Sequence, residues 1–214
     1  MTLRGIRAVL FALVLVFVGA STAKAAPVLD FTGGDVIFNT SPEILVLGWS
    51  FLVTSPVTID ALGLFDVDAD GFAADHLVVL ADGSFAPIAT ALITNATSVP
   101  VPSTSTLGEW RSTPITPLTL DPATYFIGAV FSSDDPDGLI VESTASTIPG
   151  VTFGDAFLFV VPTGPFLTVP DANDGFFGPN LFTPSSVPEP SSLVLLGAGL
   201  AALGGLARRI RGRI

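Results

Sequence analysis

The residues best placed to do chemistry lie in one run, Asp66-Val67-Asp68-Ala69-Asp70-Gly71-Phe72-Ala73-Ala74-Asp75. Carboxylates at every second position, followed by a glycine that permits a sharp turn, suit a loop that wraps a hard cation with oxygen. Asp66, Asp68 and Asp70 would supply side-chain oxygens, Phe72 a backbone carbonyl and Asp75 a further carboxylate, with calcium as the ion. The same run also suits a solvated acidic hairpin loop, because Asp and Gly stabilise turns without any ion. Both readings are carried forward.

The run resembles the first half of an EF-hand or dockerin calcium loop, with Asp66, Asp68 and Asp70 at the first three side-chain positions. It departs from that pattern at Leu77, where the loop's bidentate Glu belongs, and the preceding residues 57–65 read as a strand rather than a helix. Other chemistry is sparse. His76 is the only histidine, and at the start of a strand it reads as structural. Asp134-Asp135-Pro136-Asp137-Gly138 and Asp171-Ala172-Asn173-Asp174-Gly175 are two more acidic turns, either of which could join a cation site.

Catalytic motifs are absent. There is no cysteine, hence no disulfide framework and no thiol nucleophile. Neither a Gly-x-Ser-x-Gly elbow nor His-rich metal spacing occurs. A glycosidase pair is a matter of spatial meeting between two carboxylates, so a glycan-active hydrolase stays as a minor alternative and the chain is expected not to be an enzyme. For sugar stacking only Trp49, Trp110 and Tyr125 are available. Trp49 falls on a core-facing pattern, which leaves Trp110 as the candidate. Asn39-Thr40-Ser41 and Asn95-Ala96-Thr97 fit the glycosylation pattern and are read as turns.

The elements that must position these residues are strands. From Ala26 to about Thr183 short apolar runs, many β-branched or aromatic, are cut by Gly, Pro, Asp, Asn and Ser. That is the pattern of an all-β sandwich. The expected strands are 28–31, 36–38, 44–53, 57–65, 76–81, 87–94, 109–113, 118–120, 124–131, 139–143, 156–161 and 177–182. Leu45, Leu47, Trp49, Phe51 and Val53 alternate with their neighbours, as do Tyr125, Ile127, Ala129 and Phe131, which puts each set on one face. Residues 94–107, rich in Thr, Ser, Val and Pro, read as an exposed loop.

Charge divides the chain into three. Of its eight basic residues, Arg4, Arg7 and Lys24 lie at the start and Arg208, Arg209, Arg211 and Arg213 at the end; between Ala26 and Val187 Arg111 alone faces eighteen Asp and Glu. So acidic a body excludes nucleic acid as a partner and attracts divalent cations. Arg4 and Arg7, an apolar run 8–20 and Ala23-Lys24-Ala25 form a secretory signal peptide, 1–25, for removal by signal peptidase. At the other end, 191–207 is an uncharged stretch of seventeen residues, near the short limit for a helix crossing a bilayer core of about 30 Å. With basic residues at both ends, the positive-inside rule holds the termini in the cytoplasm and sends the middle across.

Val187-Pro188-Glu189-Pro190, the apolar run and the basic end together, 184–214, resemble the PEP-CTERM sorting signal of bacterial envelope proteins. The resemblance implies cleavage by an exosortase, after transient anchoring in the inner membrane. The stretches Gly48-Trp49-Ser50-Phe51, Ile59-Asp60-Ala61-Leu62-Gly63-Leu64-Phe65-Asp66, Asp75-His76-Leu77-Val78, Pro122-Ala123-Thr124-Tyr125-Phe126-Ile127-Gly128-Ala129 and Phe177-Gly178-Pro179-Asn180 resemble a loose set of exported β-sandwich domains common beside such tails. The expectation is therefore a single antiparallel, jelly-roll-like β-sandwich, 26–183, between a signal peptide and a C-terminal transmembrane helix. Its expected role is a non-catalytic cell-surface or matrix protein, associated with exopolysaccharide or biofilm. The alternative is a calcium-dependent carbohydrate-binding or adhesion module.

Overall fold

The computed structural model describes residues 25–161, 166–169 and 175–184. The expected signal peptide (apart from Ala25), the sorting residues Val187, Pro188, Glu189 and Pro190, the membrane segment 191–207 and most of the third acidic turn lie outside them.

The described residues belong to one compact unit, Lys24–Pro184, and contain strands and no helix. In chain order the strands are β1 (Ala26–Pro27), β2 (Leu29–Thr32), β3 (Asp35–Phe38), β4 (Ile44–Val53), β5 (Val57–Val67), β6 (His76–Asp82), β7 (Pro87–Ile93) and β8 (Val99–Val101). There follow β9 (Gly108–Leu120), β10 (Thr124–Phe131), β11 (Gly138–Val141), β12 (Thr144–Thr147), β13 (Val151–Val161), β14 (Phe166–Val169) and β15 (Pro179–Thr183).

Two larger antiparallel sheets share one apolar core. One has the order β1-β15-β5-β9-β8, the other β14-β13-β4-β10-β6-β7; two small ladders, β11-β3 and β12-β2, complete the fold. The pairing is nested: β4 lies against β10, β5 against β9 and β6 against β7. The predicted alternations point inward, with Leu47, Trp49, Phe51 and Val53 buried on β4 and Tyr125, Ile127, Ala129 and Phe131 on β10. The Trp49 indole N–H donates to Pro179 O at 2.8 Å, so a single side chain bridges the two large sheets at the centre of the core. The Tyr125 hydroxyl donates to Asp121 O at 3.0 Å and closes the corner leading into β10.

The structure corrects the strand list in specific places. Residues 109–113 and 118–120 are parts of one strand, β9, which continues through Pro114 and Pro117. Register shifts between Ile59 and Ala61, so 115–117 bulge out of the ladder and the missing N–H of Pro117 costs no pairing there, while Pro114 stays in register opposite Ala61. Within the expected loop 94–107 a short edge strand, β8, forms, and its Pro100 is tolerated at a sheet margin. β13 starts at Val151 rather than 156, with a bulge between Phe153 and Ala156. Gly48 and Gly128 face each other across β4 and β10. A Cβ on Gly48 would meet Ile127 O at 2.0 Å, so neither strand has room for a larger residue at this crossing. On the outer side of that sheet Val46, Val79, Ala81, Phe85, Phe126, Gly128, Phe157 and Phe159 line an apolar hollow of about 380 Å³.

Two expectations follow. Trp49→Phe leaves the buried Pro179 carbonyl without its donor and opens space beside Phe51 and Phe153; the loss is about 2–4 kcal/mol, read from the shift in urea midpoint. In the β6–β7 hairpin, the exposed Asp82 carboxyl is held below its ordinary 3.8, chiefly by the Ser84 hydroxyl, then by the Ser84 and Ala86 N–H groups. Because the folded value is depressed, the hairpin's support from Asp82 is present above the ordinary carboxylate range and is lost as pH falls through the folded value. Ser84→Ala should raise the Asp82 midpoint in a carboxyl NMR titration.

Candidate functional site

The run 66–75 comprises the last two residues of β5 and the loop that leads to the start of β6. Its geometry begins with Asp66, whose side chain is buried. The Gly71 N–H donates to both of its oxygens, at 3.2 and 3.0 Å, and Arg111 Nε donates to Oδ2 at 2.6 Å. Arg111 also lies 3.8 Å from Glu109. Gly71 adopts φ 97°, a left-handed conformation in which a side chain is strained, and this turns its N–H back onto Asp66. Asp68 and Ala69 share the left-handed region, at φ 65° and 56°.

The predicted calcium ligands are therefore distributed as follows. Asp66 is inward, bonded to the one arginine of the body. The Phe72 carbonyl accepts from Asn95 Nδ2 at 2.8 Å, and the Phe72 N–H donates to Asn95 Oδ1 at 2.8 Å. Asp68, Asp70 and Asp75 are exposed. Asn95, read from the sequence as a local turn residue, instead clamps this loop from twenty-three positions away. Asn39 is buried: its Nδ2 donates to Glu43 O and Ser132 O, and its Oδ1 accepts from Ser41 N. Trp110, the expected sugar-stacking candidate, is fully buried with its indole N–H on Asp30.

The structure brings together a different set. His76, Asp135 and Asp137 place one nitrogen and two carboxylate oxygens within 4.8 Å of one another. His76 opens β6, and the two aspartates belong to the second acidic turn, between β10 and β11. Nε2 lies 2.9 Å from Asp137 Oδ2 and 3.9 Å from Asp135 Oδ1, and the three side chains are 0%, 11% and 1% exposed in the order His76, Asp137, Asp135. Nδ1 lies 3.2 Å from Val130 O. The rings of Phe72 and Phe131 flank the imidazole at 5.5 and 5.1 Å.

Each carboxylate is oriented by backbone. Asp137 accepts from the Ala73 and Ala74 N–H groups at 2.9 and 2.8 Å, which ties the first acidic loop to the second. Asp135 accepts from Ser132 N and Oγ through Oδ2, and from Asp137 N through Oδ1. Sequence reasoning took His76 and the turn separately, and nothing local joins residues sixty-one positions apart. The available signal was the shortage of bases: the body's one histidine has few partners other than carboxylates.

Comparison with known families places a PEP-CTERM protein-sorting motif at residues 186–211. No curated protein and no solved structure matches the chain. The motif is that of exported proteins processed by an exosortase, and the matched span includes Val187, Pro188, Glu189 and Pro190.

The Arg111–Asp66 pair yields an expected outcome. Arg111→Met strands a buried carboxylate and lowers stability by about 3 kcal/mol. Adding Asp66→Asn removes that charge and restores at least half of the loss, measured by denaturant titration of the two single variants and the double variant.

Proposed function

We propose that this chain is a non-catalytic envelope or matrix protein. It is exported by its signal peptide, held for a time in the inner membrane by its tail, and cut by an exosortase near residues 188–192. The mature β body is then presented at the cell surface or in the exopolysaccharide of a biofilm. The observation that carries this reading is the sorting motif at 186–211 at the end of an all-β body. The charge layout agrees with it: the basic residues sit at the ends and the acids in the middle, which is the distribution that sends the middle across a membrane.

We read the nested pairing of β4 with β10, β5 with β9 and β6 with β7 as a jelly-roll-like wrapping, in which a long folded-over hairpin curls into two layers. Such folds host many activities, so role must be argued from sites. A calcium-dependent carbohydrate-binding module would draw on Asp66, Asp68, Asp70, the Phe72 carbonyl and Asp75, and on an exposed Trp. Asp66 is engaged by Arg111 and the Phe72 carbonyl by Asn95, and both Trp49 and Trp110 are buried; this favours the non-catalytic matrix role. For a glycan hydrolase, a carboxylate pair would need to line a cleft. The close pair Asp135 and Asp137 is instead packed inside, on backbone N–H groups and His76.

Removing residues 187–214 tests the assignment. The truncated protein should cross the membrane, escape exosortase processing and change its distribution between cell envelope and medium. The intact gene product should yield a mature C-terminus between 188 and 192 by mass spectrometry. An unchanged distribution and an uncut C-terminus would overturn the sorting role. Binding on a glycan array only when calcium is added would favour the adhesion module.

A further inference from the structure

We infer that His76, Asp135 and Asp137 form a binding site for a divalent transition-metal ion of the zinc class. The reasoning starts from hydrogen-bond polarity. Val130 O is a carbonyl and can only accept, so Nδ1 of His76, 3.2 Å away, carries a proton. In the neutral ring Nε2 is then a bare lone pair. It faces two carboxylate oxygens, at 2.9 and 3.9 Å, which are also acceptors when ionised. Acceptors converging on one point need a proton or a metal ion between them: a second proton on the imidazole, a proton on one of the carboxylates, or a bound metal.

Charge balance separates the two. Neutral imidazole and two carboxylates sum to −2; one added proton, on the ring or on a carboxylate, leaves −1, and a divalent ion leaves zero. The side chains of His76 and Asp135 are 0% and 1% exposed, and an uncompensated charge at such depth is costly. Among the described residues no other side chain brings positive charge to it. The one Lys or Arg between Ala26 and Val187 is Arg111, and it is bonded to Asp66.

The arrangement also has the features of a metal site. A ring whose Nδ1–H is fixed by a backbone carbonyl, with Nε2 directed at the ion, is the usual orientation of a ligating histidine. Both carboxylates are fixed in turn, Asp135 by Ser132 and by the Asp137 N–H, Asp137 by the Ala73 and Ala74 N–H groups. Tetrahedral coordination with bonds of about 2.0 Å spaces ligand atoms about 3.3 Å apart. The two measured separations, 2.9 and 3.9 Å, bracket that value. One nitrogen and two oxygens suit zinc or a neighbouring first-row ion, whereas calcium prefers an all-oxygen shell.

The test uses the untagged full chain, stripped with a chelator, dialysed and titrated with Zn²⁺ by calorimetry. The expected result is one ion per chain with a raised Tm, and no comparable rise with equal Ca²⁺. His76→Gln and Asp137→Asn, each first shown by circular dichroism to keep the β spectrum, should weaken binding at least tenfold. The triple variant Asp68→Asn, Asp70→Asn, Asp75→Asn should leave it unchanged. Absence of zinc binding by the stripped wild type overturns the proposal, and so does equal binding by His76→Gln, or loss of binding in the triple variant. Should the His76 and Asp137 variants misfold, ¹⁵N NMR of the wild type decides. The proton on Nε2 must disappear at saturating zinc, and its persistence there means that a proton alone fills the site.

Discussion

The constraint on which the structure depends is a shortage of positive charge. Between Ala26 and Val187 eighteen carboxylates share a single arginine and a single histidine, yet Asp66 and Asp135 are buried in the fold. A buried carboxylate left unpaired would cost more than most core contacts return. The solution is to bring the carboxylates to the backbone. Asp66 receives the Gly71 N–H, Asp135 the Ser132 and Asp137 N–H groups, and Asp137 those of Ala73 and Ala74. Asp30 does the same with Thr104 N, helped by the Ser103 hydroxyl and the Trp110 indole. Hydrogen bonds to an ionised acceptor are about twice as strong as neutral ones, so each acid staples a loop to the rest of the fold, in the first acidic loop beside the buried Phe72.

This explains how the two acidic loops are attached. The acidic turn after β10 and the acidic loop before β6 would repel each other as free chains. Asp137 converts that repulsion into attachment, because it meets the other loop through two N–H groups and a histidine rather than through its carboxylates. The exposed Asp68, Asp70 and Asp75 point the remaining charge toward water. The single arginine is used where backbone cannot suffice: Arg111 reaches Asp66 from the neighbouring strand β9, while His76 sits at the head of β6.

How much of this could be read in the sequence depends on the distance over which the information travels. Period-two alternation is local, and β4 and β10 have the limits that their alternating residues imply. The prolines of β9 broke the expected strand because a break and a bulge look alike until the partner's register is known; the shift opposite Asp60 decides it. The acidic loop was visible in its spacing. That Asp66 turns inward was not, because the reason is Arg111, forty-five residues further on. His76 was visible only as a lone histidine. Its meaning lies in a turn that the nested strand order delivers to it.

That delivery has a consequence for folding. β6 carries His76, and the turn between β10 and β11 carries Asp135 and Asp137, so the three converge only after β10 has paired with β6, with Gly128 opposite Val79 and Ala129 opposite Val78. A species bound among groups that meet only in the native state contributes its binding free energy to folding itself. The Arg111–Asp66 pair differs in kind, since its cation is part of the chain and present from the start. The body thus closes one acidic loop with a charge it encodes; in the metal site we propose, the other closure takes its charge from the surroundings. The second way ties the last step of closure to the medium in which the exported body folds.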